Sequence, residues 1–272
     1  MDIQIQLRNG QTLRGIIRSP GENIKAGIIL VHGLGEHIRR YSLWADKFIS
    51  KGYGFIGVDL PGHGNSEGRR GVMNSYKLAA EMIDIQIREL KKTFPGIPVF
   101  LYGHSLGGTI VLQYVLQNKP QIKGVIVTSP WLRLSFEPSK AKLKLVSIMK
   151  GIMPSLVQPS GLIVEHVSHD PAVIDSYKND PLNHNKISVG LVHSTISAAE
   201  YSLSHASELK LPLLLIHGSD DLITSPEGSR EFASKTPLAE LKIWPGGYHE
   251  LQNELFKDDV FGFIENWTSS KL

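Results

Sequence analysis

A serine between glycines, a later carboxylate pair and a histidine beyond it are the residues of this chain whose types and order can do covalent chemistry. Ser105 stands in Gly103-His104-Ser105-Leu106-Gly107, after the apolar run Pro98 to Tyr102 and before the helix-like run Thr109 to Leu116. Glycines on both flanks permit a sharp strand-to-helix turn that presents the hydroxyl at a helix N-terminus. With 26 glycines and 26 serines in 272 residues, chance supplies such a pentapeptide roughly 0.2 times per chain, so its surroundings must decide its meaning. A serine hydroxyl is a poor nucleophile at neutral pH. It needs a general base, and the base needs a carboxylate to fix its tautomer.

Both partners follow in order. The run Leu213 to His217 leads into Gly218-Ser219-Asp220-Asp221, and Leu241 to Trp244 leads into Pro245-Gly246-Gly247-Tyr248-His249. His249 is the only histidine after the carboxylate pair, and the order Ser, Asp, His is one that serine hydrolases use. Asp220 and Asp221 compete for the acid, and either also suits a turn or cap before Ser225-Pro226-Glu227. Attack on a carbonyl further requires donors for the developing oxyanion. The backbone N–H of Leu106 qualifies by position, and the loop His32-Gly33-Leu34-Gly35-Glu36-His37 is placed to supply a second. Neither glycine-rich segment is followed by Gly-Lys-Ser/Thr, which argues against a phosphate loop, and no His-Glu-x-x-His offers a zinc site. The absence of cysteine excludes thiol chemistry and disulfides.

The elements that must position these residues alternate. Residues 3 to 18 alternate about Asn9-Gly10, which predicts an antiparallel pair with a two-residue turn. Ala26 to Val31 is a continuous apolar run, the mark of a strand covered on both faces. Helix-like Leu43 to Ser50, strand-like Gly54 to Val58, amphipathic Ser75 to Phe94, Pro98 to Tyr102, Thr109 to Leu116 and Gly124 to Thr128 then succeed one another. This predicts a mainly parallel sheet with helices on both faces and catalytic residues at the carboxyl ends of the strands. The alternation lapses from about Trp131 to Ile187 and resumes with Leu211 to His217, Leu238 to Ile243 and a helix near Asp258 to Trp267. The expected division is a core over 1–130 and 188–272 with an insertion over 131–187.

A chain of this length with 41% hydrophobic residues can bury one large core. The net charge of +3 is scattered, giving no support to nucleic-acid binding. No apolar stretch reaches membrane-spanning length, and the start has no signal-like core, so the expectation is a soluble, cytoplasmic protein.

Together the elbow around Ser105, the His-Gly loop, the late aspartate and the late histidine resemble the α/β-hydrolase superfamily. The likeness narrows at His32-Gly33-Leu34-Gly35-Glu36-His37 with Arg40-Tyr41, at Asp59-Leu60-Pro61-Gly62-His63-Gly64-Asn65-Ser66-Glu67-Gly68, and at Gly103 to Gly108. With Asp180-Pro181-Leu182, Gly218-Ser219-Asp220-Asp221 and Gly247-Tyr248-His249, these segments are similar to the monoacylglycerol lipase and lysophospholipase group of serine aminopeptidase S33-like hydrolases. The resemblance covers the chain except its middle.

It implies an α/β-hydrolase fold: a mostly parallel eight-stranded sheet, an N-terminal antiparallel hairpin, helices on both faces and a helical lid. By position the nucleophile falls on Ser105, the acid on Asp221 and the base on His249, with oxyanion donors from the backbone of Leu34 and Leu106. Residues matching Glu36, Arg40 and His104 line the glycerol end of the pocket in mammalian monoacylglycerol lipases. Glu36 and Arg40 are equally suited to a structural ion pair. Asp59, His63 and Ser66 invite a competing assignment, but their tight loop has no helix start to supply oxyanion donors, and Arg70 is expected to tie it down.

The implied function is hydrolysis of lipid carboxylic esters, foremost monoacylglycerol, through an acyl-enzyme without cofactor or protein partner. Lysophospholipid, a general carboxylester, peroxide as acceptor, or a non-catalytic binding role on the same fold are the alternatives. Within the insertion, Leu145, Val146, Ile148, Met149, Ile152, Met153 and Leu156 recur at helical spacing among Lys140, Lys142, Lys144 and Lys150. That pattern suits a lid helix that receives an acyl chain and makes transient contact with a membrane surface, or a helix simply packed on the core.

Overall fold

The computed structural model describes residues 1–73, 75–136 and 139–272, together with all their side chains but those of residues 140, 142 and 143. The lid lysines Lys140 and Lys142 therefore belong to α4 by backbone, while their side chains lie outside the described residues.

The chain begins with β1 (Asp2–Gln6) and β2 (Thr12–Arg18), then runs β3 (Ala26–Val31), α1 (Ser42–Ser50), β4 (Tyr53–Val58), α2 (Tyr76–Thr93), β5 (Val99–His104), α3 (Leu106–Asn118) and β6 (Gly124–Thr128). The irregular middle holds α4 (Lys140–Ile152), β7 (Val157–Pro159), α5 (Pro171–Asn179) and β8 (Lys186–Ser188). After it come α6 (Val189–Ser204), β9 (Leu213–Gly218), α7 (Pro226–Ala233), β10 (Ala239–Trp244) and α8 (Lys257–Ser270). Eight strands form one sheet in the order β1-β2-β4-β3-β5-β6-β9-β10. Its β1–β2 and β2–β4 pairs are antiparallel and the others parallel. This is the predicted α/β-hydrolase architecture.

Strands β3, β4, β5, β6 and β9 are buried at every residue, as their unbroken apolar runs require. Alternate side chains serve opposite faces of the sheet. Ile29, Val31, Leu101 and Val127 join Met82, Ile83 and Val111 from α2 and α3. Ile28, Leu30, Phe100 and Ile126 join Trp44 and Phe48 of α1 and Ile264 and Trp267 of α8. Helices on both faces press the parallel strands together, which gathers the loops at their carboxyl ends.

Two elements depart from the expectations. The first hairpin turns through three residues, Arg8-Asn9-Gly10, rather than two. Gly10 N–H donates to the Leu7 carbonyl at 2.9 Å and Leu7 N–H to that of Gln11 at 2.9 Å, with Gly10 at φ +87°. A residue in the left-handed region after such a turn restores the strand twist, so the glycine here makes a bulge. Helix α6 follows directly on β8, and the alternation of elements does not announce it. Its buried side joins Val189, Leu191 and Leu203 to the small residues Gly190, Ala198, Ala199 and Ser202, which permit close packing.

The described residues between 131 and 187 are sewn to the loops at the carboxyl ends of the strands. Leu134 bridges Thr224, the His184 N–H donates to the Gly35 carbonyl at 2.9 Å, and the Glu250 N–H to that of Val167 at 2.7 Å. On α4, Leu145, Ile148 and Ile152 are more than half exposed. Among the described residues no helix is long and apolar enough to cross a membrane.

Candidate active site

Ser105 joins β5 to α3 with φ 54° and ψ −117°, a backbone conformation rare for any residue but glycine. The turn closes only because its flanks lack side chains. A Cβ on Gly107 would lie 2.1 Å from the Val31 carbonyl oxygen, and one on Gly103 would lie 2.5 Å from that of Gly107. The strain holds Ser105 at the head of α3, where the helix dipole and free N–H groups favour negative charge.

His249 lies beyond β10 and Asp221 beyond β9. The His249 Nε2 is 2.9 Å from the Ser105 Oγ, and its Nδ1 is 2.7 Å from the Asp221 Oδ2. Ser105, Asp221 and His249 are all buried, retaining 7%, 4% and 4% exposure. Asp220 is exposed and accepts a bond from the neighbouring Ser219 hydroxyl. It takes no part in the cluster. Asp221 accepts from five groups: His249 and, at 3.1 Å, His217 Nε2; the Thr224 hydroxyl at 3.0 Å; and, on Oδ1, the backbone N–H groups of Ile223 at 2.8 Å and Thr224 at 3.0 Å. Burial alone would push the Asp221 carboxyl up. The charge of His249 and the bonds from both imidazoles outweigh it and hold the carboxyl far below the usual carboxylate range. Burial likewise pushes His249 down, but the Asp221 carboxylate lifts it above the ordinary imidazole value.

The loop after β3 approaches from the other side. A Cβ on Gly33 would meet the Glu36 Oε1 at 2.8 Å and the Ser105 Cβ at 3.2 Å, so this loop brushes the serine. The Gly33 N–H donates to the Glu36 Oε1 at 2.6 Å. That donor is committed to Glu36, while Leu106, directly after Ser105, is the first residue of α3.

Glu36 and Arg40 form the ion pair that their types allowed. Arg40 Nη1 donates to the Glu36 Oε2 at 2.7 Å, and the Glu36 Oε1 also accepts from the Tyr41 hydroxyl at 2.7 Å. Burial lifts the Glu36 carboxyl, with Arg40 opposing it. A third charged member went unpredicted: Glu250 takes both Arg40 nitrogens at 2.7 Å each. His104 bonds the Thr128 hydroxyl through Nδ1 at 3.1 Å, and its ring lies 4.9 Å from that of His249. Burial, with His249 nearby, brings His104 down to about 3, so it is neutral at physiological pH.

Asp59, His63 and Ser66 do not assemble into a second constellation. Asp59 accepts from the N–H groups of Ile38 and Asn65, Ser66 donates to the Asp59 carbonyl, His63 Nδ1 bonds the Pro61 carbonyl, and Arg70 donates to the Gly64 carbonyl at 2.6 Å. Every bond braces the loop. Three site residues escaped the sequence reasoning: His217, Thr224 and Glu250. Their signals were a histidine ending an apolar strand, a threonine three residues after Asp221, and a carboxylate adjoining His249.

The family model described as serine aminopeptidase, S33, matches residues 22–255. A phospholipase of Bacillus subtilis is 32% identical over 251 residues, 91% of this chain and 96% of that protein. An abhydrolase domain-containing protein of Dictyostelium discoideum is 36% identical over 252 residues, but the chain spans only 26% of its length. The crystal structure of the monoacylglycerol lipase of Paleococcus ferrophilus superimposes with a TM-score of 0.87 at 33% identity, covering 95% of this chain and 99% of that one. A match over most of its length, on a sheet of this topology, makes the chain a member of the serine aminopeptidase S33 family of α/β hydrolases.

Proposed function

We propose that this enzyme hydrolyses the ester of a monoacylglycerol, releasing a fatty acid and glycerol through an acyl-enzyme on Ser105. The observation that carries the reading is the unbroken file Ser105 Oγ, His249, Asp221, at 2.9 and 2.7 Å, with the hydroxyl at a helix head. His249 takes the serine proton as Oγ attacks the ester carbonyl, and Asp221 stabilises the imidazolium. The N–H groups of Leu34 and Leu106 receive the oxyanion. His249 then protonates the departing glycerol oxygen, activates a water against the acyl-enzyme, and returns the proton to Ser105 as the acid leaves. These steps route every proton through His249 and call on no cofactor.

The glycerol is assigned to the side of Glu36, Arg40 and His104. There the guanidinium is held by two carboxylates and His104 is neutral, which favours an uncharged alcohol over a phosphate. Lysophospholipid is the second reading, favoured by the Bacillus subtilis phospholipase at 32% identity. Residues 131–187 act as the lid. The bare apolar side of α4, with Lys144 and Lys150 on the same helix, suits an acyl chain and transient contact with an anionic bilayer by a cytoplasmic enzyme.

Turnover of monooleoylglycerol, lysophosphatidylcholine and p-nitrophenyl butyrate by the wild type and Ser105→Ala tests both levels. The variant should keep its fold and lose all three activities. Ester hydrolysis surviving in it removes the serine mechanism, and a preference for lysophosphatidylcholine replaces glycerol with a phospholipid head group.

A further inference from the structure

The partner of Arg40 that lies farthest away in sequence is also the residue next to the base. Glu250 binds the guanidinium through both oxygens, and its Oε2 accepts in addition from Asn253 Nδ2 at 2.7 Å. Arg40 passes the contact to Glu36, and Glu36 holds the Gly33 N–H at 2.6 Å, one residue before Leu34. A continuous chain of charge-assisted bonds thus runs from the residue beside His249 to the residue beside Leu34. Arg40 also lies 4.5 Å over the Tyr177 ring, so the guanidinium is fixed on its face as well as its edges.

The Arg40–Glu36 pair would be neutral without Glu250. With it, two carboxyl groups share one guanidinium, and with both ionised the trio carries a net negative charge where Glu250 is 3% exposed and Glu36 2%. Excess buried charge works against folding. It favours any state in which a neighbour becomes a cation, and the neighbour that does so in catalysis is His249.

We infer that Glu250 is a positioning residue of the reaction: through Arg40 and Glu36 it ties the loop carrying His249 to the loop carrying Leu34, and its charge supports the His249 imidazolium. The inference rests on the serine mechanism proposed above. The charged and titratable groups around His249 are Asp221, His104, Glu36, Arg40 and Glu250, with His217 on the far side of Asp221. Burial pushes His249 down and Asp221 outweighs it. Glu250 and then Glu36 add to Asp221, and the loss of either charge lowers the histidine.

Labelling of Ser105 by an alkyl fluorophosphonate, followed by intact mass against pH, reads the protonation of His249 without any natural substrate. The wild-type rate should rise with pH to a plateau as His249 loses its proton. In Glu250→Gln the midpoint is expected to lie lower, because a negative charge beside the imidazolium is removed. The plateau is expected to fall by about tenfold to a hundredfold as the loops lose register. A Glu250→Gln protein with a lowered melting temperature but unmoved midpoint and plateau makes Glu250 merely structural and overturns the inference. If that variant does not fold, Glu36→Gln carries the test, because it neutralises the trio while keeping the bidentate Glu250–Arg40 pair. Its midpoint should fall likewise, and an unmoved one overturns the inference equally. A wild type that takes no label refutes the serine mechanism instead, so the two failures are distinct.

Discussion

Replacing Asp221 with Asn probes the file of hydrogen bonds at its most committed point. The Oδ1 of Asp221 receives two backbone N–H groups, so an amide at this site keeps its oxygen there. Its NH2 then takes the place of Oδ2 and faces the Nδ1 of His249, which lies 2.7 Å from that position. Two donors cannot meet at this distance, so the imidazole must move its proton to Nε2. That nitrogen would then donate toward Ser105, 2.9 Å away, where catalysis requires it to accept. The fold should survive, since His217 can donate to the Thr224 carbonyl at 2.9 Å in place of the lost carboxylate. Loss of the correct tautomer together with the support for the imidazolium predicts a fall in kcat/KM of about 10⁴, or roughly 5.4 kcal/mol of transition-state stabilisation. The assay is initial-rate hydrolysis of p-nitrophenyl butyrate at pH 7, with circular dichroism to verify the fold. An Asn variant that is folded and retains more than roughly 1% of wild-type kcat/KM refutes this account of the acid.

Acid should unfold the protein earlier than its carboxylates alone demand. His32 and His104 are brought to about 3 and His184 to about 4, each chiefly by burial, so these histidines contribute stability above about pH 6.5 that is lost as pH falls toward those values. Each contributes a slope of up to about 1.4 kcal/mol per pH unit in that window, and His32→Gln should flatten the urea-unfolding profile there; equal slopes for variant and wild type would falsify the linkage. Gly107→Ala drives a methyl against the Val31 carbonyl and should cost at least about 2 kcal/mol in urea unfolding, whereas a loss below about 0.5 kcal/mol would mean that the elbow is not so tight. Changing Leu145, Ile148 and Ile152 together to Ser should leave p-nitrophenyl acetate turnover intact and weaken both long-chain ester preference and partitioning onto anionic vesicles. Undiminished preference and partitioning would show that the bare face of α4 serves neither.

The order of elements was legible because it is written in local patterns. Unbroken apolar runs announced the central strands, and glycines flanking Ser105 announced a turn that tolerates no Cβ. Residue order also set Ser105, the Asp220-Asp221 pair and His249 after three different strands. Parallel strands covered by helices deliver such residues to one end of the sheet, where the 2.9 and 2.7 Å contacts are made. Helix α6 was less legible because its buried side mixes Leu191 and Leu203 with Thr195 and Ser202, which dilutes the apolar signal.

Tertiary structure decided the partners. Nothing local distinguishes Asp221 from Asp220, and only the fold buries one against two imidazoles and leaves the other in solvent. Glu36 and Arg40 are four apart and could be paired by inspection, but the carboxylate that completes their trio lies 210 positions beyond Arg40. A charge carries no mark of its partner in its sequence neighbourhood. The desolvation that makes the partner necessary is imposed by distant segments, and it exists only once they have packed.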